Sequence, residues 1–218
     1  MKQYFSNRII KTSKTIMKYI LELLIVAFGV FLGIYIGEQN NQQKTDKNVI
    51  NALTQIMSEF DLNSKKLESS INYHEKVSVE IDSATKSLDE IDYETLYYKN
   101  NKFQFIELPS WKGVGTASLS HSVYESAKIG GVFQELNIST INLISSVYEY
   151  QKTYSDFTKS TIDKFISFNS NTKTVDVVGT LRMLTKYDIA QMEKNLQNEI
   201  KKAKKELELI KKSKKFKK

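Results

Sequence analysis

Residues 47–91 read KNVINALTQIMSEFDLNSKKLESSINYHEKVSVEIDSATKSLDEI, and this stretch decides the fold class. Leu53, Phe60, Leu67, His74, Ile81 and Leu88 recur at intervals of seven, with Ile50, Met57, Ser64, Ile71 and Ser78 filling a companion position. That spacing is the signature of an α-helix that packs along one seam. Residues 38–108 hold neither Pro nor Gly, so the pattern predicts an unbroken helix over about 47–91. A seam of this kind needs partners, either other helices of the chain or a second copy.

Downstream, the character changes. Residues 92–112 carry Tyr93, Tyr97, Tyr98, Phe103 and Phe105, then Leu108-Pro109-Ser110-Trp111, and Asn100-Asn101 marks a turn. A short irregular hairpin is expected there. Residues 116–128 read as a short helix ended by Gly130-Gly131, and a long helix is expected over about 139–168. Ile141, Ile144, Tyr148, Phe157, Ile162 and Phe165 give that helix its apolar face. Asn137 precedes it as an N-cap, the cheaper explanation of what is also a glycosylation sequon, Asn137-Ile138-Ser139. Val175–Val178 is too short to classify. A last helix is expected from about Thr180 past Ile210, with Ile189, Met192, Leu196, Ile200, Ala203, Leu207 and Ile210 on one stripe. The body is therefore expected to be all-α, an elongated antiparallel helical bundle. One Pro and eight Gly in 218 residues supply too few turns for a sandwich or barrel.

Upstream of a polar spacer at 39–47 lies YILELLIVAFGVFLGIYIG, residues 19–37, with one charge. At about 1.5 Å per residue such a helix rises roughly 28 Å, close to the hydrocarbon thickness of a bilayer. Glu22 falls one turn from Lys18, near the end that can reach the interface. The apolar run is too long for a signal peptide, and Ile34-Tyr35-Ile36-Gly37-Glu38 offers no small-residue cleavage site. An uncleaved transmembrane helix is expected. Lys2, Arg8, Lys11, Lys14 and Lys18 precede it, against only Lys44 and Lys47 just after it. The positive-inside rule puts the N-terminus in the cytoplasm and the body across the inner membrane, in the periplasm. The expected organisation is a basic cytoplasmic segment at 1–18, the span at 19–37, an extracytoplasmic helical domain at 38–210 and a basic tail at 211–218.

The net charge of +7 is unevenly spread: +5 over residues 1–18, −6 over 19–200 and +8 over 201–218. A nucleic-acid-binding domain carries its bases across a folded face, so nucleic acid is not an expected partner. Lys211, Lys212, Lys214, Lys215, Lys217 and Lys218 are candidates for contact with anionic lipid. Gly29, Gly33 and Gly37 form overlapping small-xxx-small steps, a face on which two membrane helices can pack as a homodimer or against another membrane protein.

The run Tyr19-Ile20-Leu21-Glu22-Leu23-Leu24-Ile25-Val26-Ala27-Phe28-Gly29-Val30-Phe31-Leu32-Gly33 resembles the anchor of a family of short, uncharacterised bacterial single-pass membrane proteins. Their anchor contains a Glu near its start, with basic residues before it and a helical extracytoplasmic body after it. Ser126-Ala127-Lys128-Ile129-Gly130-Gly131, followed by Tyr148 and Tyr150, is similar to a Ser-Gly step and Tyr pair found in many of them. Where an Asn-x-Trp usually follows the family's anchor, this chain has Gln39-Asn40-Asn41. The resemblance implies a fold type and a location, and brings no catalytic residues.

Chemistry is sparse. The absence of Cys excludes disulfides, zinc-thiolate sites, iron–sulfur clusters and thiol nucleophiles. His74 sits on the seam and reads as a structural histidine. His121, in Ser118-Leu119-Ser120-His121-Ser122, has serines beside it, but neighbours in a helix do not face each other. Gly113-Val114-Gly115-Thr116 lacks the third Gly and the Lys of a phosphate loop and reads as a turn leading to an N-cap. Asp89, Glu90, Asp92 and Glu94 read as a solvated helix end rather than a calcium loop. No catalytic residue, cofactor site or metal site is expected. The leading functional expectation is a membrane-anchored interaction or assembly protein; the alternative is a sensor-like ligand-binding bundle acting through a separate partner.

Overall fold

The computed structural model describes residues 2–215, with side chains described for residues 17–213. The chain is all-α. Its helices are α1 (Lys2–Ala84), α2 (Glu90–Glu94), α3 (Ser122–Ile129), α4 (Ile138–Ile166), α5 (Thr174–Thr185) and α6 (Asp188–Lys215). The chain divides into two units, Met1–Asn48 and Val49–Lys218.

The first unit is helical. Its apolar residues from Met17 to Ile36 are exposed on every face, and none of the apolar window is covered by protein. By length and composition, this stretch of α1 is able to cross a membrane. Lys18 and Glu22 face each other at 3.8 Å one turn apart, as the sequence spacing requires.

In the second unit, α1 presents Leu53, Phe60, Leu67, His74 and Ile81, all essentially fully buried. The companion row differs from the expected one. Val49, Ile56, Asn63, Ser70 and Val77 are buried, whereas Ile50, Ser64, Ile71 and Ser78 are only half-buried. Spacings of four and three then alternate along the whole seam, and three of its members, Asn63, Ser70 and His74, are polar because they hold another segment of chain. α1 ends at Ala84, earlier than the expected 91: residues 85–88 turn, and Asp89 caps α2 in a reciprocal pair with Asp92.

α6 runs antiparallel to α1, fixed by ion pairs of Glu75 with Lys194 and Asp61 with Lys204, with Asp82 paired to Lys186 in the turn just before α6. α4 runs parallel to α1. Its Tyr148 meets Glu59 and Phe60, and farther along Tyr154 reaches the carboxylate that Ser70 also contacts. α4 starts on Asn137, whose side chain accepts the Thr140 N–H, confirming the cap. The expected single last helix is broken at Lys186-Tyr187, where both N–H groups turn back to the Arg182 carbonyl before Asp188 opens α6. Val175–Val178 belongs to α5.

Two apolar clusters result. The larger joins Leu53, Phe60 and Leu67 of α1 to Ile144 and Val147 of α4 and Ile189, Leu196, Ile200 and Leu207 of α6. The smaller packs Val77 and Ile81 against Tyr97, Phe103 and Leu108 and against Val177, Val178 and Leu181 of α5. The segment at 92–112 forms no hairpin. It is built from α2, two single 3-10 turns and one isolated bridge between Leu96 and Lys173. Its aromatic residues gather around Phe105, which meets Trp111 and Phe165 edge-on and stacks on Tyr97, rather than pairing in strands.

Candidate functional site

The most concentrated polar chemistry in the second unit lies where residues 110–123 run back along α1. The sequence predicts a helix from 116, yet residues 112–121 form neither helix nor strand and α3 begins only at Ser122. A segment without helix or strand does not pair its own N–H and C=O groups, and buried ones are costly when unpaired. Side chains on successive turns of α1 supply the partners. Glu80 accepts the Ser110 N–H, and the Tyr73 hydroxyl accepts from Lys112 N–H and donates to the Gly113 carbonyl. Lys66 donates to Ser118 C=O, and the Asn63 amide both donates to and accepts from the Ser120 backbone. The strap therefore descends α1 in a fixed register. Gly113 and Gly115 are not a turn before a helix. Both have positive φ, and a Cβ on Gly115 would lie 2.1 Å from the Tyr73 ring.

Beneath the strap, Glu193 of α6 is fully buried and gathers a cluster from three elements. Its Oε1 accepts from the hydroxyls of Ser70, at 2.5 Å, and Tyr154, at 2.7 Å. Its Oε2 lies 2.9 Å from His74 Nδ1. The other ring nitrogen, Nε2, lies 2.9 Å from the Val114 carbonyl, which can only accept, so Nε2 carries a proton. The Nδ1–Oε2 contact then holds one more proton, as imidazolium–carboxylate or as imidazole–carboxylic acid. Burial pushes the Tyr154 hydroxyl far above its ordinary value, and the Glu193 charge adds to that shift, so this group stays a donor. Both His74 nitrogens are engaged and its side chain is fully enclosed. The sequence reading of a structural histidine holds, whereas its partner Glu193 was not foreseen.

A second carboxylate, Glu59, is 3% exposed. It accepts from Tyr148 at 2.6 Å, Ser120 Oγ at 2.7 Å and Val123 N–H at 3.0 Å. Burial alone would raise its pKa, but hydrogen bonds led by that of Tyr148 outweigh burial and hold the carboxyl below the ordinary 4.5. A depressed carboxylate stabilises the fold above its unfolded value and loses that contribution as pH falls through the folded value. Melting curves of the wild type and Glu59→Gln should therefore converge as pH is lowered below about 4.5, with the wild type ahead at neutral pH. A gap independent of pH would contradict this assignment.

Ser120 thus gives its hydroxyl to Glu59, not to His121. His121 is exposed and stands just before α3 without a side-chain capping bond. It lines a groove of about 460 Å³ with Leu119, Tyr124, Tyr148, Gln151 and Tyr154 among others. Gln151 is 5% exposed, and its Nε2 is buried without a hydrogen-bond partner. Among the described residues, no group of three or more His, Asp or Glu side chains is placed to hold a metal ion.

No family model, curated protein or solved structure matches the chain. Its candidate sites rest on its own geometry. Asp89 caps α2 through the Asp92 N–H, so part of the acidic group at 89–94 has a structural task beyond solvation. Gly29, Gly33 and Gly37 each leave open space, with nothing within 4 Å of an added Cβ. In the tail, Lys212 is exposed, Lys211 is half-buried, and neither forms an ion pair among the described residues. Lys214, Lys215, Lys217 and Lys218 lie outside the residues whose side chains are described, as do Lys2, Arg8, Lys11 and Lys14.

Proposed function

We propose that the chain is a single-pass inner-membrane protein, with a cytoplasmic N-terminus and a periplasmic helical domain that serves interaction or assembly rather than catalysis. The observation that carries this reading is the uncovered apolar surface from Met17 to Ile36. An exposed apolar surface of that extent on one helix is stable only against lipid or another protein. The basic flank sets the orientation and makes the span a signal-anchor. Resemblance to the Glu-containing anchor family supports the same location. The open glycine face at 29, 33 and 37 suits a second copy or another membrane protein, and the heptad seam gives the domain coiled-coil-like packing. The two buried carboxylate clusters favour a structural role, because their polar groups fasten the strap and leave no reactive atom open to substrate.

Protease added to spheroplasts is expected to degrade the domain while leaving the N-terminal segment protected. Full protection of residues 45–218 would reverse the orientation. The sensor-like alternative draws on the groove beside Gln151. It requires a ligand whose binding raises the melting temperature of the wild type and not of Gln151→Leu.

A further inference from the structure

The ion pairs between α1 and α6 fix more than their packing. Residue numbers fall along α1 as they rise from the turn before α6 into α6, from Asp82–Lys186 through Glu75–Lys194 to Asp61–Lys204. Continuing the Asp61–Lys204 register places Lys211 opposite Thr54 and Lys215 opposite Ile50. α6 is still seated on the core there, since Leu207 is buried and Ile210 packs against the same cluster as Val49 and Leu53. The basic end of α6 therefore returns to the end of the domain at which the chain enters it.

Apart from Asp46, which is itself engaged, that end of α1 offers the lysines no acid before Glu59. From Lys47 to Ser58 the helix contains no Asp or Glu, and Glu59 is already occupied by Tyr148, Ser120 and Val123. Lys201, Lys205 and Lys212 are exposed. None of them, nor Lys211, forms an ion pair among the described residues. Of the lysines in residues 201–213, Lys202 pairs with Glu199 and Lys204 with Asp61.

We propose that the basic C-terminal segment, residues 201–218, binds the anionic phospholipid headgroups of the bilayer that holds the anchor. The proposal rests on the membrane reading above and names the partner of its C-terminal surface. Only residues 38–48 separate the last residue of the apolar span, Gly37, from Val49. A connection this short keeps the entry end of the domain close to the bilayer, which makes contact of the basic end with the headgroups intramolecular. Each Lys near an anionic surface contributes about 1 kcal/mol, so many weak contacts act together where single exposed ion pairs would count for little. Nucleic acid shares the phosphate chemistry but has no comparable tether.

The test uses the full chain with Ser213→Cys, which introduces its only thiol, labelled with a fluorophore. The protein is reconstituted into phosphatidylcholine vesicles, with or without phosphatidylglycerol, each carrying a headgroup-spin-labelled quencher. Quenching should be several-fold greater with phosphatidylglycerol and should fall towards the phosphatidylcholine level at high salt. The difference should also vanish when Lys211, Lys212, Lys214, Lys215, Lys217 and Lys218 are all changed to Gln. Equal quenching in both lipids, or quenching indifferent to the Gln changes, would overturn the proposal while leaving the anchor intact. A response of the labelled tail to polyuridylate but not to the anionic lipid would also overturn it. Removal of the whole chain from both vesicles by alkaline carbonate would overturn the membrane reading itself.

Discussion

Glu193→Ala is expected to lower the stability of the helical domain by about 3–5 kcal/mol, the usual cost of removing one partner from a buried, hydrogen-bonded pair. The carboxylate is fully buried and serves Ser70, Tyr154 and His74 together. Its removal leaves the His74 Nδ1 and the Tyr154 hydroxyl without their acceptor in a closed interior, and it opens a void. The same magnitude follows if the His74–Glu193 pair is neutral, because each orphaned buried polar group costs about 1–3 kcal/mol. Urea unfolding followed by helical circular dichroism measures the loss. Glu193→Gln, which keeps the shape and one acceptor oxygen, should lose less. Equal stability of Glu193→Ala and wild type would mean that the cluster does not hold α1, α4 and α6 together.

Leu67→Ala is expected to cost about 2–5 kcal/mol, the range for deleting a fully buried Leu side chain from a packed core. Leu67 is 0% exposed on the seam, whereas Leu62, on the same helix, is 56% exposed. Leu62→Ala should change stability by less than about 0.5 kcal/mol. The contrast between two leucines separates seam burial from any general effect of shortening a side chain on α1. Similar losses at both positions would refute the assigned face.

The long helices were legible because apolar residues carry the helical period where packing is one-sided. Leu53, Phe60, Leu67 and Ile81 announce the seam of α1, and Ile189, Leu196, Ile200 and Leu207 that of α6. The companion row was misread because Asn63 and Ser70 are polar, and a polar side chain at a seam position reads as solvent-facing. Their polarity serves a segment 45–57 positions away, which no local pattern reveals. Residues 112–121 were misread as leading into a helix for the same reason. The hydrogen bonds that hold this strap come from α1 and from Tyr154 of α4, not from its own neighbours.

Glu193 left a fainter signal. It stands four residues after Ile189 and three before Leu196, inside the buried stripe, so its position argued for burial while its charge argued against it. His74 makes the matching exception on α1. One ionisable residue on each of two core stripes marks a pair that the tertiary fold must bring together.

The return of α6 to the entry end of the domain has a mechanical consequence. The domain's first residue, Val49, and the C-terminal end of α6 stand at the same end, so a pull between the anchor and the C-terminus would act across the α1–α6 contact rather than along it. The helices would unzip turn by turn, breaking Asp61–Lys204 first, then the Glu193 cluster and Asp82–Lys186 last. A load gripped instead at the far turn, around residues 85–110, would strain every turn of the seam at once. The domain yields readily in the first direction and resists in the second.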